Sequence, residues 1–363
     1  MELNGNKGLN LNINALVMVK FLVISDDLTG ANGVAGMMTG HCNTVVISYK
    51  SIELIPSDAD CVVVNTESRL IEASAAESRV KLVADYAEAK GFIIGKRIDS
   101  ALRGNIEAEL RPLLKRTIVV TDTIPEYGRF TEGGYTILGD SRVSIIEKLG
   151  GIKARVMSIN EFRVSAGNLN GAVIVDSRTV GDIIEIAQVI HNNGFTSVDP
   201  GPLNAQVSRL YVKGKLRKPS INEVKRICFI VGSTHENTIR QIEKARRSGI
   251  KVINIKDSNS LQSYDEVIVS FDLMKDRDYL NEDFVRQVAQ FDALVVSGGE
   301  TANSLINTSK ANYLESIGEV MPLVGVSLIK GGLLDGKVII TKGGIIGGED
   351  AYLRIRDYLR TLT

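Results

Sequence analysis

The chain has 363 residues, 44% of them apolar, with 43 Lys+Arg balanced by 43 Asp+Glu. That length and composition support two domains with real hydrophobic cores and no need of disulfide staples. Zero net charge removes the global electrostatic case for nucleic acid or an anionic membrane as partner, so any anion site must be built locally.

From the N-terminus, residues 1–17 are Asn-rich and end before a second methionine, Met18. They lack a convincing signal-cleavage pattern, and the expectation is a weakly ordered extension with native translation starting at Met18. No apolar run approaches the length of a membrane span. Three cysteines, Cys42, Cys61 and Cys228, are far apart and odd in number. No pair has metal-ligand spacing, which argues against zinc. Cys61 and Cys228 lie in strand-like runs and read as buried reduced thiols, which fits a cytoplasmic location.

Six short β-branched runs read as strands in the first half: 20–25, 44–48, 61–65, 92–96, 117–121 and 172–176. Continuous apolar strands of this kind are covered on both faces, as in parallel sheets. Amphipathic helices are expected at 74–91 and 179–194, each ending in glycine. The charged stretch 211–224, with Pro219, breaks this pattern. It places a boundary near 215–222, between a domain of residues 18–215 and one of residues 222–363. The second half repeats the grammar, with strands at 226–231, 251–255, 292–297 and 338–342 and helices at 235–248, 281–290 and 300–308. The predicted fold is α/β, with two domains, each a mainly parallel sheet flanked by helices, and the active site in the cleft between them.

Ligands in open α/β sheets sit at the carboxyl ends of strands. In the first half those ends are polar and mixed in charge: Ser25-Asp26-Asp27-Leu28-Thr29, Asn65 to Arg69, Lys96 to Asn105, and Asp122 to Arg129. Brought together, Arg69, Lys96, Arg103 and Arg129 would grip a carboxylate, while Asp and Ser/Thr groups bond hydroxyls. That describes a pocket for a small polyhydroxy acid. A plainer reading stands beside it: residues 25–29 as a helix cap, and 96–103 as a solvated helix start.

The strand ends of the second half carry glycine instead. Gly232-Ser233-Thr234, Gly298-Gly299-Glu300-Thr301 and the run Lys342-Gly343-Gly344 to Gly347-Gly348 let backbone N–H groups approach phosphate oxygens. A single Gly-Gly reads more simply as a turn, but three such exits in one domain favour nucleotide phosphates. No Walker A sequence is present. A hydroxy-acid pocket joined to a polyphosphate pocket points to phosphoryl transfer, usually with Mg2+.

These segments resemble a known family. "SDDLTGAN", "KRIDSALRGNIEAEL" and "IPEYGRFTEGGY", followed by "VGSTHENTIRQIEKA", "VVSGGETANSLI" and "ITKGGIIGGEDAYLRI", are similar to the ordered motifs of the four-carbon acid sugar kinases. The resemblance runs from Met18 to the C-terminus. It implies ATP-dependent phosphorylation of the terminal hydroxyl of a tetronate such as D-threonate, D-erythronate or 3-oxotetronate. It assigns substrate contacts to Asp27, Arg69 and the Lys96–Arg103 segment (Lys96, Arg97, Asp99, Ser100, Arg103). Gly104, the next residue of that motif, and Arg129 of "IPEYGRFTEGGY" join them. ATP contacts fall to Ser233, Gly298, Gly299, Glu300, Thr301 and Gly344, with Lys342, Gly343 and Gly347 beside them. Asp26 and Asp27 are both open as the base, with Asp99 in reserve; metal ligands are not assigned. The chain departs from the family pattern at Ala101, at Ile345-Ile346 and at "SVDPGPL" (197–203), which bears on which acid is used. The rival readings are a non-catalytic two-domain sugar-acid-binding protein and an NAD-dependent sugar-acid dehydrogenase. The second lacks a dinucleotide fingerprint. Apolar helices on sheet faces serve equally within one chain or across a homodimer.

Overall fold

The computed structural model describes residues 20–214 and 219–362. The N-terminal extension and the middle of the expected linker lie outside the described residues. Strands of the first half are β1 (Phe21–Ser25), β2 (Thr44–Ser48), β3 (Cys61–Asn65), β4 (Ile93–Arg97), β5 (Ile118–Val120), β6 (Arg129–Glu132), β7 (Tyr135–Leu138), β8 (Ser141–Ser144), β9 (Ala154–Met157), β10 (Ala172–Val175) and β11 (Thr196–Asp199). Those of the second are β12 (Ile227–Val231), β13 (Lys251–Asn254), β14 (Glu266–Ser270), β15 (Ala293–Ser297), β16 (Tyr313–Met321), β17 (Val324–Lys330) and β18 (Val338–Lys342). The helices used below are α1 (Leu28–Met38), α2 (Ala73–Ala89), α3 (Val180–Asn193), α4 (Glu236–Arg247), α5 (Gly299–Ser309) and α6 (Ala351–Leu359).

Each half has the parallel sheet expected of it, and the two sheets are continuous. Fifteen strands run in the order β13-β14-β12-β15-β18-β17-β16-β2-β3-β1-β4-β11-β5-β10-β9. The join is the long antiparallel hairpin β16–β17, which pairs with β18 on one side and β2 on the other. Side chains alternate across the sheet and both faces are covered. Phe21 and Val23 enter one core, Leu22 and Ile24 the other. The first of these cores passes under both halves, taking in Ile230, Val296 and Ile339 as well.

Across the hairpin the strand direction reverses, so the two parallel halves run opposite ways. The loops after β1 and β15 nevertheless meet, Asp27 lying against Gly299. Helix α1 bolts the arrangement. It is buried along nearly its whole length, and its small residues admit backbone contact. A Cβ on Gly33 would lie 2.8 Å from the Leu323 carbonyl oxygen, and one on Gly36 would lie 2.6 Å from that of Gly318. Asn32 Nδ2 donates to the Gly325 carbonyl (2.9 Å) and to Thr341 Oγ1 (3.1 Å).

A separate meander, β6-β7-β8, stands at the end of β5. Gly133 and Gly134, both at positive φ, turn its first hairpin. At the opposite edge of the sheet from the strand ends, Cys42 and Cys61 are buried in contact, their Sγ atoms 2.6 Å apart, with His41 beside them. Sequence spacing, which considered cysteine pairs along the chain, did not register this cluster. Among the described residues, no helix is long and apolar enough to cross a membrane.

Candidate active site

Strand β1 ends at Ser25 and the chain turns into α1 through Asp26 and Asp27. Asp27 is the N-cap: its Oδ1 accepts from the Gly30 amide (2.9 Å), and Thr29 Oγ1 donates to Oδ2 (2.7 Å). The capping reading and the site reading are therefore both true of the same carboxylate. The repulsion between the two aspartates is answered by two guanidiniums. Arg69 donates through Nε to Asp26 Oδ2 (2.6 Å) and through Nη1 to Asp27 Oδ2 (2.8 Å). Arg97 Nη1 bonds Asp26 Oδ1 (2.8 Å) and Asp27 Oδ1 (3.0 Å). A third pair closes the array: Arg103 grips Asp99 through Nε (2.6 Å) and Nη2 (3.0 Å), and Arg69 Nη2 lies 3.3 Å from the same carboxylate.

Three carboxylates thus face three guanidiniums in one network. Burial alone would push Asp26 up, but Arg69 and Arg97 outweigh it and hold its carboxyl well below the usual range. Asp99 is also buried, and Arg103 with Arg69 lowers it in the same way. Arg97 reaches the aspartates by lying across the first turn of α1. A Cβ on Gly30 would fall 2.1 Å from its Cζ.

The glycine exits of the second half close the other wall. Gly298 sits at φ +109 directly after β15, and α5 begins at Gly299 with its N-terminal amides toward the cleft. Gly344 packs against Ser233, where a Cβ would meet Oγ at 2.5 Å. The carbonyls of residues 344–348 are held by side chains of α4: Thr238 Oγ1 donates to Gly344, Asn237 to Ile345, and Gln241 to Ile346, Gly347 and Gly348. Across the cleft the two walls touch. A Cβ on Gly299 would lie 2.5 Å from Asp27 Oδ2.

A cleft of about 440 Å³ opens between them. Of the sequence candidates, Asp27, Arg69, Arg97, Asp99, Ser100 and Arg103 line it from one side. Ser233, Gly298, Gly299, Glu300, Thr301, Gly343 and Gly344 line it from the other. The remaining candidates sit elsewhere. Lys96 is fully buried in an ion pair with Glu109 (2.8 Å), on the opposite strand face from Arg97. Asp26 lies beneath the cleft floor, bound by both arginines. Gly104, at φ +87, makes room for the Arg69 stem. Arg129 pairs with Asp122 (3.2 Å) and lines an adjoining pocket of about 340 Å³ with Ser100, Tyr127, Leu138 and Gly347. Lys342 is fully buried and absent from the cleft wall.

Sequence reasoning missed the apolar lips. Leu70 on one side, and Leu273 with Met274 on the other, line the cleft while largely open to solvent at Leu70 and Met274. The last two follow β14, "EVIVS", a β-branched run that carried the signal and was passed over. Asp122 was also missed as a titratable group. It is buried with Oδ1 unpartnered, and burial pushes it up to about 6 against the pull of Arg129 and Thr136.

Comparison with known proteins bears on this geometry. Residues 21–149 match a sugar-binding N-terminal domain, and residues 280–352 a nucleotide-binding C-terminal domain. The chain belongs to the four-carbon acid sugar kinase family. It is 26% identical to a D-erythronate kinase of Heliobacterium modesticaldum, over 95% of this chain and 98% of that protein. It is 26% identical to a D-threonate kinase of Salmonella typhimurium, over 65% of this chain and 63% of that one. Among solved structures, a Salmonella typhimurium protein described as a tRNA synthase matches with a TM-score of 0.73 at 16% identity, covering 94% of this chain and 99% of its own. A Haemophilus influenzae protein matches with a TM-score of 0.65, also at 16% identity, covering 93% and 100%. At that identity the two structures share the family's fold, and the likeness carries nothing about reaction or substrate.

Proposed function

We propose that this chain transfers the γ-phosphoryl group of ATP to the terminal hydroxyl of a four-carbon sugar acid, D-erythronate or D-threonate being the first candidates. Residues 18–215 would hold the acid and 222–363 the nucleotide. The observation that carries the reading is the contact of Asp27 Oδ2 with Gly299. It puts a carboxylate able to receive a hydroxyl proton against a helix N-terminus suited to phosphate.

Arg103 is the most exposed of the three arginines, at 56% of its side chain against 13% for Arg69 and 5% for Arg97. It would meet the acid's carboxylate at the cleft mouth, with Ser100 and Asp99 on the hydroxyls. The terminal hydroxyl then lies against Asp27. Its oxygen attacks the γ-phosphorus, the bond from that phosphorus to the bridging oxygen of ADP breaks, and the hydroxyl proton passes to Asp27. Amides of Gly299 and Gly344 take up charge on the phosphoryl oxygens. A base would rest on the apolar lip at Leu273 and Met274.

Mg2+ fits here as a passenger of the nucleotide. Of the cleft carboxylates, Asp99 is held by two arginines, and Asp27 is bonded through both oxygens. Glu300 has a single ion pair among the described residues, a 3.7 Å contact with Arg277. Glu300 would hold the ion, most of whose shell comes from water and phosphate. Bound there, it offsets phosphate charge.

The test is ADP release with Mg-ATP against D-threonate, L-threonate, D-erythronate, L-erythronate and 3-oxotetronate. Turnover on one of them supports the reaction and names the acid. Silence on all five, with ATP still raising Tm, overturns the substrate class and keeps the nucleotide half.

A further inference from the structure

We infer that Lys342 is a positioning residue, a tethered cation whose ammonium shapes the anion-binding loop 343–348 from beneath without touching the phosphates. The inference rests on the nucleotide reading of that half of the cleft and deepens it.

Lys342 ends β18, and its side chain is fully buried. Among the described residues it has no carboxylate partner. Instead, Nζ donates to the Gly343 carbonyl (3.0 Å) and the Ile346 carbonyl (3.1 Å), and lies 5.4 Å from the centroid of the Tyr352 ring on α6. A buried ammonium without a counter-ion is an unfavourable group to retain unless its bonds do something. These bonds turn carbonyls. In a trans peptide the C=O and the following N–H point opposite ways. Drawing the Gly343 carbonyl inward therefore sends the Gly344 amide outward, and Gly344 lines the cleft.

Lys342 also governs the neighbouring exit. Its backbone carbonyl accepts from the Gly298 amide (3.0 Å), and its register partner on β15 is Ser297. One residue therefore fixes the start of both glycine segments. Asn237, Thr238 and Gln241 of α4 take the remaining loop carbonyls. Lys342 is the charged member of that set, and supplies positive potential behind amides that point at an anion. Burial lowers its affinity for the proton to about 7, so a nearby polyphosphate also favours its charged form.

The experiment compares wild type, Lys342→Met and Lys342→Ala in ADP binding by calorimetry and in separate KM values for ATP and for the acid. Wild type is expected to bind ADP. Lys342→Met, which keeps the apolar stem and removes the charge, is expected to fold with a near-native far-UV spectrum. Its nucleotide affinity should fall on the order of 10- to 100-fold, the loss typical of charged hydrogen bonds, with the acid KM within about twofold. Adding propylammonium to Lys342→Ala should restore part of the ADP affinity, since the cation fits the space the side chain vacated, whereas tetramethylammonium or NaCl should not. Wild-type-like ADP affinity in Lys342→Met overturns the inference, as does rescue by NaCl. Equal losses for ATP and acid make Lys342 merely structural and overturn it too. If Lys342→Met fails to fold, the rescue of Lys342→Ala decides. Failure of wild type to bind ADP removes the nucleotide reading itself, and this inference with it.

Discussion

The two walls of the cleft are built in opposite ways. The wall from the first half is dense with charge, and nearly all of it is cancelled internally by Arg69, Arg97 and Arg103 against Asp26, Asp27 and Asp99. The wall from the second half is built from glycine backbone, with a buried cation, Lys342, behind the surface. The first fixes side chains in place and so suits a ligand whose stereochemistry must be read. The second presents glycine amides, which would suit any phosphate of the right shape.

The largest effect expected breaks the first wall where it meets the second. Asp27→Asn keeps volume and the cap acceptor but removes the proton acceptor. Turnover should fall on the order of 10²- to 10⁴-fold with little change in ATP binding. Activity within threefold of wild type would remove Asp27 from the chemistry. Next, Arg97→Met should act on stability before activity, because it leaves two buried carboxylates, Asp26 and Asp27, sharing Arg69 as their one remaining guanidinium. A loss of about 3–5 kcal/mol is expected in urea unfolding, and unchanged stability would mean that the network contributes nothing to the fold.

A third test uses pH. Asp122 has its folded pKa raised to about 6 by burial, above its ordinary carboxylate value. Its ionisation is therefore easier in the unfolded chain. This group's contribution to stability is whole below the unfolded pKa near 4 and is lost as pH rises through about 6. The Asp122→Asn variant should lack that decline. Its stability relative to wild type should climb by roughly 2–3 kcal/mol between pH 4 and pH 7, then level off; a flat difference curve would refute it. The smallest effect sharpens the second wall. Gly344→Ala places a Cβ 2.5 Å from Ser233 Oγ, a side chain that can rotate away. The ATP KM should rise several-fold, on the order of 1 kcal/mol, leaving the acid KM alone. An equal rise in both would mean the loop serves both ligands.

Much of the fold was legible because buried parallel strands advertise themselves. "FLVIS", "CVVVN" and "ALVVS" are strands by composition alone, and each begins within a residue of the expected place. The hairpin β16–β17 was not. Tyr313–Met321 mixes Glu315, Gly318 and Glu319 into its pattern and carries register shifts, so no clean period of two survives. Its half-buried face looks outward where a parallel strand would be covered. At the site, residue types were legible but orientation was not. Lys96 and Arg97 are adjacent on β4, so their side chains take opposite faces. Only Arg97 reaches the cleft, while Lys96 meets Glu109 behind it. Nothing in the pair of letters says which. Lys342 raised the same question, and the strand placed it beneath its glycines.

The packing of α1 against β16–β17 bears on how the chain is made. Helix α1 emerges from the ribosome early, yet the surface that covers Gly33 and Gly36 consists of residues near Gly318 and Leu323. Throughout synthesis of almost 300 intervening residues, the first half carries an uncovered helix face and an open edge at β2, both ready to pair wrongly. Such long-range closure makes for slow folding. Residues 18–215 expressed alone should collect in inclusion bodies, and co-expression of 222–363 as a separate chain should return them to solution.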